Sequence, residues 1–221
     1  MIARFGPGNA LADAVMKALA PAAPKQISAG IGNLTVIAFS GVVNEQQWVH
    51  MEILEGSYGG RQGLDGMEAV DTLYANTRNN PIEDIESHYP LRVTRYELNV
   101  DTGGPGRWRG GLGTIREIEF LQPGGMSLEG DGSVYPPPGL FGGGDGTPGR
   151  VEIRTADGDA AEVPSKFPYR PAQTGDRLLL VAPSGGGYGH ASERDPQAIR
   201  DDIADGVLSP ERARALYGLE A

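Results

Sequence analysis

Apolar residues at Leu11, Val15, Ala18 and Leu19 recur at the i, i+4, i+7, i+8 spacing of a short amphipathic helix. Asn9 precedes this stripe as a favourable N-cap, and Pro21 and Pro24 end it. Beyond that point the period shortens to two. Residues 34–39 and 48–54 read as strands. In the second strand Trp48, His50, Glu52 and Leu54 share one face, while Val49, Met51, Ile53 and Glu55 share the other. Alternation therefore allows at most one of Glu52 and Glu55 into a given pocket. Residues 56–66 form a loop, and residues 67–75 fit a helix or a strand alike. Asn79-Asn80-Pro81 marks a turn, and residues 82–88 form one or two helical turns behind Pro81. Residues 91–100 alternate at length, with Leu91, Val93, Arg95 and Glu97 facing one way and Arg92, Thr94, Tyr96, Leu98 and Val100 the other. Residues 114–121, 151–155, 162–163 and 177–182 are further strands. Asp195-Pro196 and Ser209-Pro210 each combine an N-cap with proline at the first helical position, and Ile199 and Ile203 give the first of these helices an apolar edge.

This order predicts an α+β fold: one β-rich unit over residues 1–221 with short terminal helices, residues 191–221 forming a helical tail. With 34 glycines and 17 prolines in 221 residues, short strands and turns are favoured over long helices. Pro136–Pro138 and Gly142–Gly144 have the composition of a linker, but Leu140 and Phe141 between them point to an ordered crossing loop. A net charge of −10 argues against nucleic acid or an anionic membrane as the main partner. No apolar run approaches the roughly 18 residues that cross a bilayer. The absence of cysteine excludes a disulfide framework, a thiolate zinc site and a cysteine nucleophile. Without disulfides or a signal peptide, the cytoplasm is the expected compartment.

Candidate chemistry concentrates between Glu52 and Gly113. A P-loop is missing, because no lysine follows a glycine at the required spacing, and Gly104 to Gly110 has the wrong spacing for a dinucleotide fingerprint. His50, His88 and His190 form no local pair, so this chain alone is expected to bind no metal. Glu52, Glu55, Asp65, Glu83 and Glu86 form an acidic set. Carboxyl pairs act as acid and base where their surroundings separate their pKa values; solvation, or pairing with Arg61, Arg92 and Arg95, is the plain alternative. Arg107 and Arg109 flank Trp108 in a glycine-rich loop suited to an anionic substrate or to ion pairing with the abundant acids.

Several stretches in a fixed order resemble the hydantoinase B/oxoprolinase family, whose relatives include subunits of ketone carboxylases. They are Glu55 to Gly60, Asp65-Gly66, Asn76-Thr77 with Asn79 to Glu83 and Glu86, Tyr89 to Leu98, Asp101 to Gly104, and Gly106 to Gly113. They continue with Gly139 to Gly144, Gly146 to Arg150, Pro164 to Lys166, Gly175-Asp176 and Gly185 to Gly189. The resemblance extends over essentially the whole chain, yet it corresponds to the second part of a typical member only. The first part, with its His-x-x-Asp motif and a further histidine associated with a metal, has no counterpart here. The resemblance therefore implies a partner chain with the N-terminal half of hydantoinase B, this chain being one piece of a split subunit or a truncated product. At Asp71-Thr72-Leu73 the sequence departs from relatives that carry histidines, which implies a different substrate or chemistry if those histidines matter.

The resemblance further implies an ATP-dependent assembly acting on a small molecule. A hydantoinase A-like ATPase subunit would activate an amide, lactam or enolate oxygen, with ATP, Mg and a divalent metal held in partner subunits. The expected role is a subunit of an ATP-dependent cyclic-amide hydrolase. The alternatives are a subunit of an ATP-dependent ketone carboxylase and a non-catalytic assembly subunit. Within the site, residue type and motif density select Glu55, Asp65 and Glu86 as acid, base or orienting groups. They select Gly59, Gly60, Arg61, Asn76, Asn79 and Arg107 for substrate contact.

Overall fold

The structure is a computed structural model that describes residues 5–71, 73 and 77–218. The candidate Asn76 lies outside the described residues, as do residues 72, 74 and 75. Among the described residues there are nine strands and four α-helices. Strands β1 (Thr35–Val43), β2 (Gln46–Leu54), β5 (Gly124–Gly130) and β8 (Lys166–Ala172) form one antiparallel sheet in the order β2-β1-β5-β8. Strands β3 (Leu91–Asn99), β4 (Gly113–Phe120), β6 (Arg150–Arg154), β7 (Ala160–Val163) and β9 (Arg177–Val181) form the second, ordered β3-β4-β9-β6-β7.

The two sheets pack face to face because each carries one apolar face. Ile37, Phe39, Leu54, Met126 and Leu128 from the first meet Leu91, Ile118, Phe120, Leu178 and Leu180 from the second in one buried cluster. The strands β5 and β8 escape the periodicity reading. β5 begins with two glycines, and β8 contains Pro168 and Pro171, which sheets tolerate at an edge. The ring of Tyr169 on β8 lies over Gly125 where any side chain would collide with it.

Helix α1 (Phe5–Leu19) differs from the periodicity reading. Asn9 is not its cap; it lies inside the helix, fully buried, and its Nδ2 donates to Asn33 Oδ1 at 3.2 Å. The stripe of Leu11, Val15 and Leu19 faces outward, 67%, 52% and 52% exposed. The docked face is set by small and polar contacts instead: Gly6 against Asp131, its carbonyl accepting from Asn33 Nδ2. Helix α2 (Ile82–His88) starts behind Pro81. In the tail, Asp195 and Ser209 cap α3 (Pro196–Ala204) and α4 (Pro210–Tyr217) by accepting from the Gln197 and Arg212 amides. Ile199, Leu208 and Ala213 form a small core of their own there. No helix among the described residues is long and apolar enough to cross a membrane.

The glycine-rich loops are ordered in a layer at the end of the sandwich. Residues 184–189 run through its middle. The amides of Gly185, Gly186 and Gly187 donate to Gly111, Gly30 and Gly144, and their carbonyls accept from the amides of Gly104, Gly60 and Leu140. Three consecutive residues thus bond to different segments, whereas a pleated strand alternates between two neighbours. These segments pack backbone against backbone. A Cβ at Gly186 would fall on the Pro138 carbonyl, and one at Gly110 on that of Gly185. The stretch from 137 to 146, with a linker's composition, is woven into this layer through Leu140 and Gly144.

Candidate active site

The inner face of β2 breaks the usual rule. His50 and Glu52 point between the sheets at 5% and 3% exposure, while Val49 and Met51 on the outer face are 66% and 53% exposed. Their partner is Arg116 of β4, in the same inward register as Ile118 and Phe120 and fully buried. Arg116 Nη1 lies 3.3 Å from Glu52 Oε1, and Glu52 Oε2 lies 2.9 Å from His50 Nε2. A buried guanidinium between apolar layers is costly unless a carboxylate faces it, and Glu52 supplies that charge.

Strict alternation would turn Tyr96 away from Leu91 and Val93. The register between β3 and β4 shifts between Val93 and Arg95, and beyond this bulge Tyr96 stands opposite Arg116 on the inner face. Arg116 lies over the Tyr96 ring, 4.8 Å from its centroid. The tyrosine hydroxyl donates to Glu55 Oε2 at 3.0 Å and accepts from Asn79 Nδ2. β2 ends at Leu54, so Glu55 has left the strand and escapes its alternation. Glu52 and Glu55, assigned by alternation to opposite faces, are both buried, and both lie in the field of Arg116.

Burial pushes the Glu55 carboxyl above its ordinary range, against the lowering effects of its own backbone amide, Tyr96, Asn79 and the more distant Arg116. Burial and the adjoining Glu55 charge push the Tyr96 hydroxyl up to about 12, so it remains a donor. A carboxyl that holds its proton more tightly than usual, oriented by one hydroxyl, is suited to proton transfer.

The other residues selected from the sequence fall in three places. Gly59, Arg61 and Asp65 line a cleft of about 100 Å³ together with Ser28 and Tyr58. Asp65, however, has both oxygens engaged: Arg194 Nη1 and Nη2 donate to it at 2.8 Å each, and the Arg109 amide at 2.7 Å. Arg194 also reaches Asp202 at 2.6 Å, and Arg109 pairs with Asp202 and Glu68. This network fastens the helical tail to the loops. Gly60 belongs to the glycine layer, its amide bound to Gly186 and its carbonyl to Ala29, and a Cβ on Gly59 would strike the Ala29 backbone. Arg107 stacks on Trp108 at 4.8 Å and faces Glu193 at 3.6 Å, half exposed. Glu86 is exposed on α2, and its carboxylate accepts from the Val93 amide at 2.9 Å, at the bulge itself. Among the selected residues that the structure describes, Glu55 and Asn79 share one hydrogen-bonded cluster through Tyr96, and Asp65 shares a second with the Arg107 carbonyl, through Arg194.

Removing one partner from the tail network leaves buried charge uncompensated. Arg194→Ala is expected to lower stability by about 3 kcal/mol or more, read as a fall in the urea midpoint, with the tail becoming the first site of proteolysis. An unchanged midpoint would show that Asp65 is not a structural anchor.

Arg116 and Tyr96 are not among the residues selected from the sequence. Arg116 carries a signal, an arginine in register with Ile118 and Phe120. Tyr96 carries none, because a bulge is invisible to alternation.

Among the described residues, no group of three or more histidines and carboxylates is arranged to hold a metal. Residues 1–191 match the family model described as Hydantoinase B/oxoprolinase. The chain is 57% identical over 219 residues to a protein of Pseudomonas sp. strain NS671 named as the B component of a D-/L-hydantoinase, covering 99% of this chain and 37% of that one. It is 33% identical over 227 residues to the beta chain of the caprolactamase of Pseudomonas jessenii, covering 96% of this chain and 39% of that one. The crystal structure of the ATP-dependent caprolactamase from that organism superposes with a TM-score of 0.86 at 29% identity, over 98% of this chain and 39% of that chain. A nucleotide-free acetone carboxylase shares the fold at 18% identity and a TM-score of 0.74, over 87% of this chain and 30% of that one. This chain thus spans well under half the length of these relatives.

Proposed function

Because the chain belongs to the hydantoinase B/oxoprolinase family, we propose that it is a subunit of an ATP-dependent cyclic-amide hydrolase and completes the active site in a multi-subunit assembly. Its partners are a hydantoinase A-like ATPase subunit and a chain carrying the rest of the family's length. The names of the hydantoinase and caprolactamase relatives support the reaction class and the subunit role. The observation that carries the reading is Glu55: a buried carboxyl of raised pKa, held by Tyr96, with Asn79 bound to the same hydroxyl.

Ring opening adds water across the C–N bond of the amide. One proton leaves the attacking water and one arrives at the departing nitrogen. A carboxyl group that titrates above its ordinary range serves as acceptor for the first and donor for the second. Asn79, whose Oδ1 is buried without a hydrogen-bond partner among the described residues, stands beside this carboxyl. The glycine loops lack the lysine of a phosphate loop for ATP, and no group of histidines and carboxylates among the described residues is arranged for a divalent metal, His50 being bound to Glu52. ATP and the metal are assigned to the partners, and no step here runs through them.

The reaction class is tested by incubating the assembled complex with hydantoin, 5-oxoproline or caprolactam plus ATP, and separately with a ketone plus ATP and bicarbonate. ATP-dependent ring opening is the expected result. Carboxylation of the ketone, with every cyclic amide left intact, would overturn the reading in favour of a carboxylase.

A further inference from the structure

We infer that Glu86 and Glu117 hold the β3 bulge so that Tyr96 is placed against Glu55, making Glu86 and Tyr96 positioning residues for the proton-transfer carboxyl. The inference rests on the reading of Glu55 proposed above. Its basis is local geometry. A bulge leaves backbone groups outside the ladder and would relax if they found no partner. Here Glu86 reaches across from α2 and accepts from the Val93 amide at 2.9 Å, immediately before the shift. On the other side Thr94, the extra residue, donates through Oγ1 to Glu117 Oε2 at 2.7 Å. Glu117 is itself held by Arg154 at 3.3 Å. Without the shift, Tyr96 would lie on the outer face with Arg92 and Thr94, and its hydroxyl could not reach Glu55 or Asn79.

Glu86 is exposed, takes no part in the core and touches neither Glu55 nor Tyr96 by any described hydrogen bond or ion pair. Its replacement therefore tests position without emptying the interior. The groups that face Glu55 are Tyr96 of β3, Asn79 of the loop before α2 and Arg116 of β4. The Tyr96 hydrogen bond lowers the Glu55 pKa against burial, so losing it moves the titration to higher pH.

Three variants decide the matter: Tyr96→Phe, Glu86→Ala and Glu86→Gln, whose amide oxygen still accepts from Val93. Two readouts are taken, the titration of the Glu55 carboxyl in the full chain by difference infrared spectroscopy (assigned with Glu55→Gln), and the pH–rate profile of the assembled complex. Tyr96→Phe and Glu86→Ala are expected to raise the pH of the Glu55 titration, to move the matching limb of the rate profile the same way, and to lower turnover about 10- to 100-fold. Glu86→Gln is expected to restore both readouts. A Glu55 titration unmoved by Glu86→Ala would overturn the positioning inference. A titration that moves as expected while the rate profile stays fixed would uphold the positioning and overturn the role of Glu55 in turnover.

Discussion

Gly186→Ala is expected to destabilise the native fold severely. The residue lies at the centre of the glycine layer, its amide bound to Gly30, its carbonyl to Gly60. A methyl group there would occupy the space of the Pro138 carbonyl and the backbone of Gly139, and neither is a side-chain tip that can swing aside. Overpacking in an ordinary core costs about 1–3 kcal/mol because side chains yield. Backbone held on several sides yields less, and a cost of about 4 kcal/mol or more is expected, in the range that marks a specific structural failure. Against a typical total of about 5–15 kcal/mol, this removes from about a quarter to most of the stability. Gly158→Ala is the control. Gly158 has a positive φ, +98°, but nothing lies within 4 Å of its would-be Cβ, so only backbone strain of about 1–2 kcal/mol applies. Circular dichroism and urea titration of the two variants should separate widely; equal, small losses would mean that the layer is not tightly packed.

Glu55→Gln is expected to lower turnover of the assembled complex by about 10²- to 10⁴-fold, with the chain still folded. The amide keeps the size of the carboxyl and can still accept from Tyr96. Its effect on stability follows from the sign of the shift. Burial raises the folded-state pKa of Glu55 above its unfolded value, so the stability this one group contributes is present at low pH and lost as pH rises through the folded pKa. Glutamine is neutral throughout. The variant should therefore match or exceed the parent in stability above that pH and show a flatter stability–pH curve. A group that weakens the fold in its working state is what a site residue looks like when function and stability pull apart. A variant both less stable and fully active would reverse both halves of this expectation.

The sequence carries most of the elements and little of their pairing. β1 to β4, α2, α3 and α4 follow from period and caps because their signals are local: alternation, Pro81, Asp195-Pro196, Ser209-Pro210. β5 and β8 are hidden by glycine and proline, whose presence is explained only by the Gly125–Tyr169 contact and the edge position. The α1 stripe is legible as amphipathic, but which face docks depends on Asn9 meeting Asn33, a contact 24 residues apart in sequence. In the site, Glu55 and Asn79 are identifiable from residue type. Their connection through Tyr96 depends on one extra residue in a strand, and alternation counted from Leu91 places that side chain on the wrong face. Asp65 and Gly60 are selected from the sequence for chemistry, and in the structure their ion pairs and backbone hydrogen bonds hold loops together.

The most direct test of the role proposed for this chain is ring-opened product formed by the proposed partner subunits, measured before and after this chain is added with ATP present. No ring opening beyond background is expected until the chain is added, and restoration is expected from the parent chain but not from Glu55→Gln. Full turnover without the chain, or equal restoration by Glu55→Gln, would contradict that role and leave the chain a structural component of the assembly.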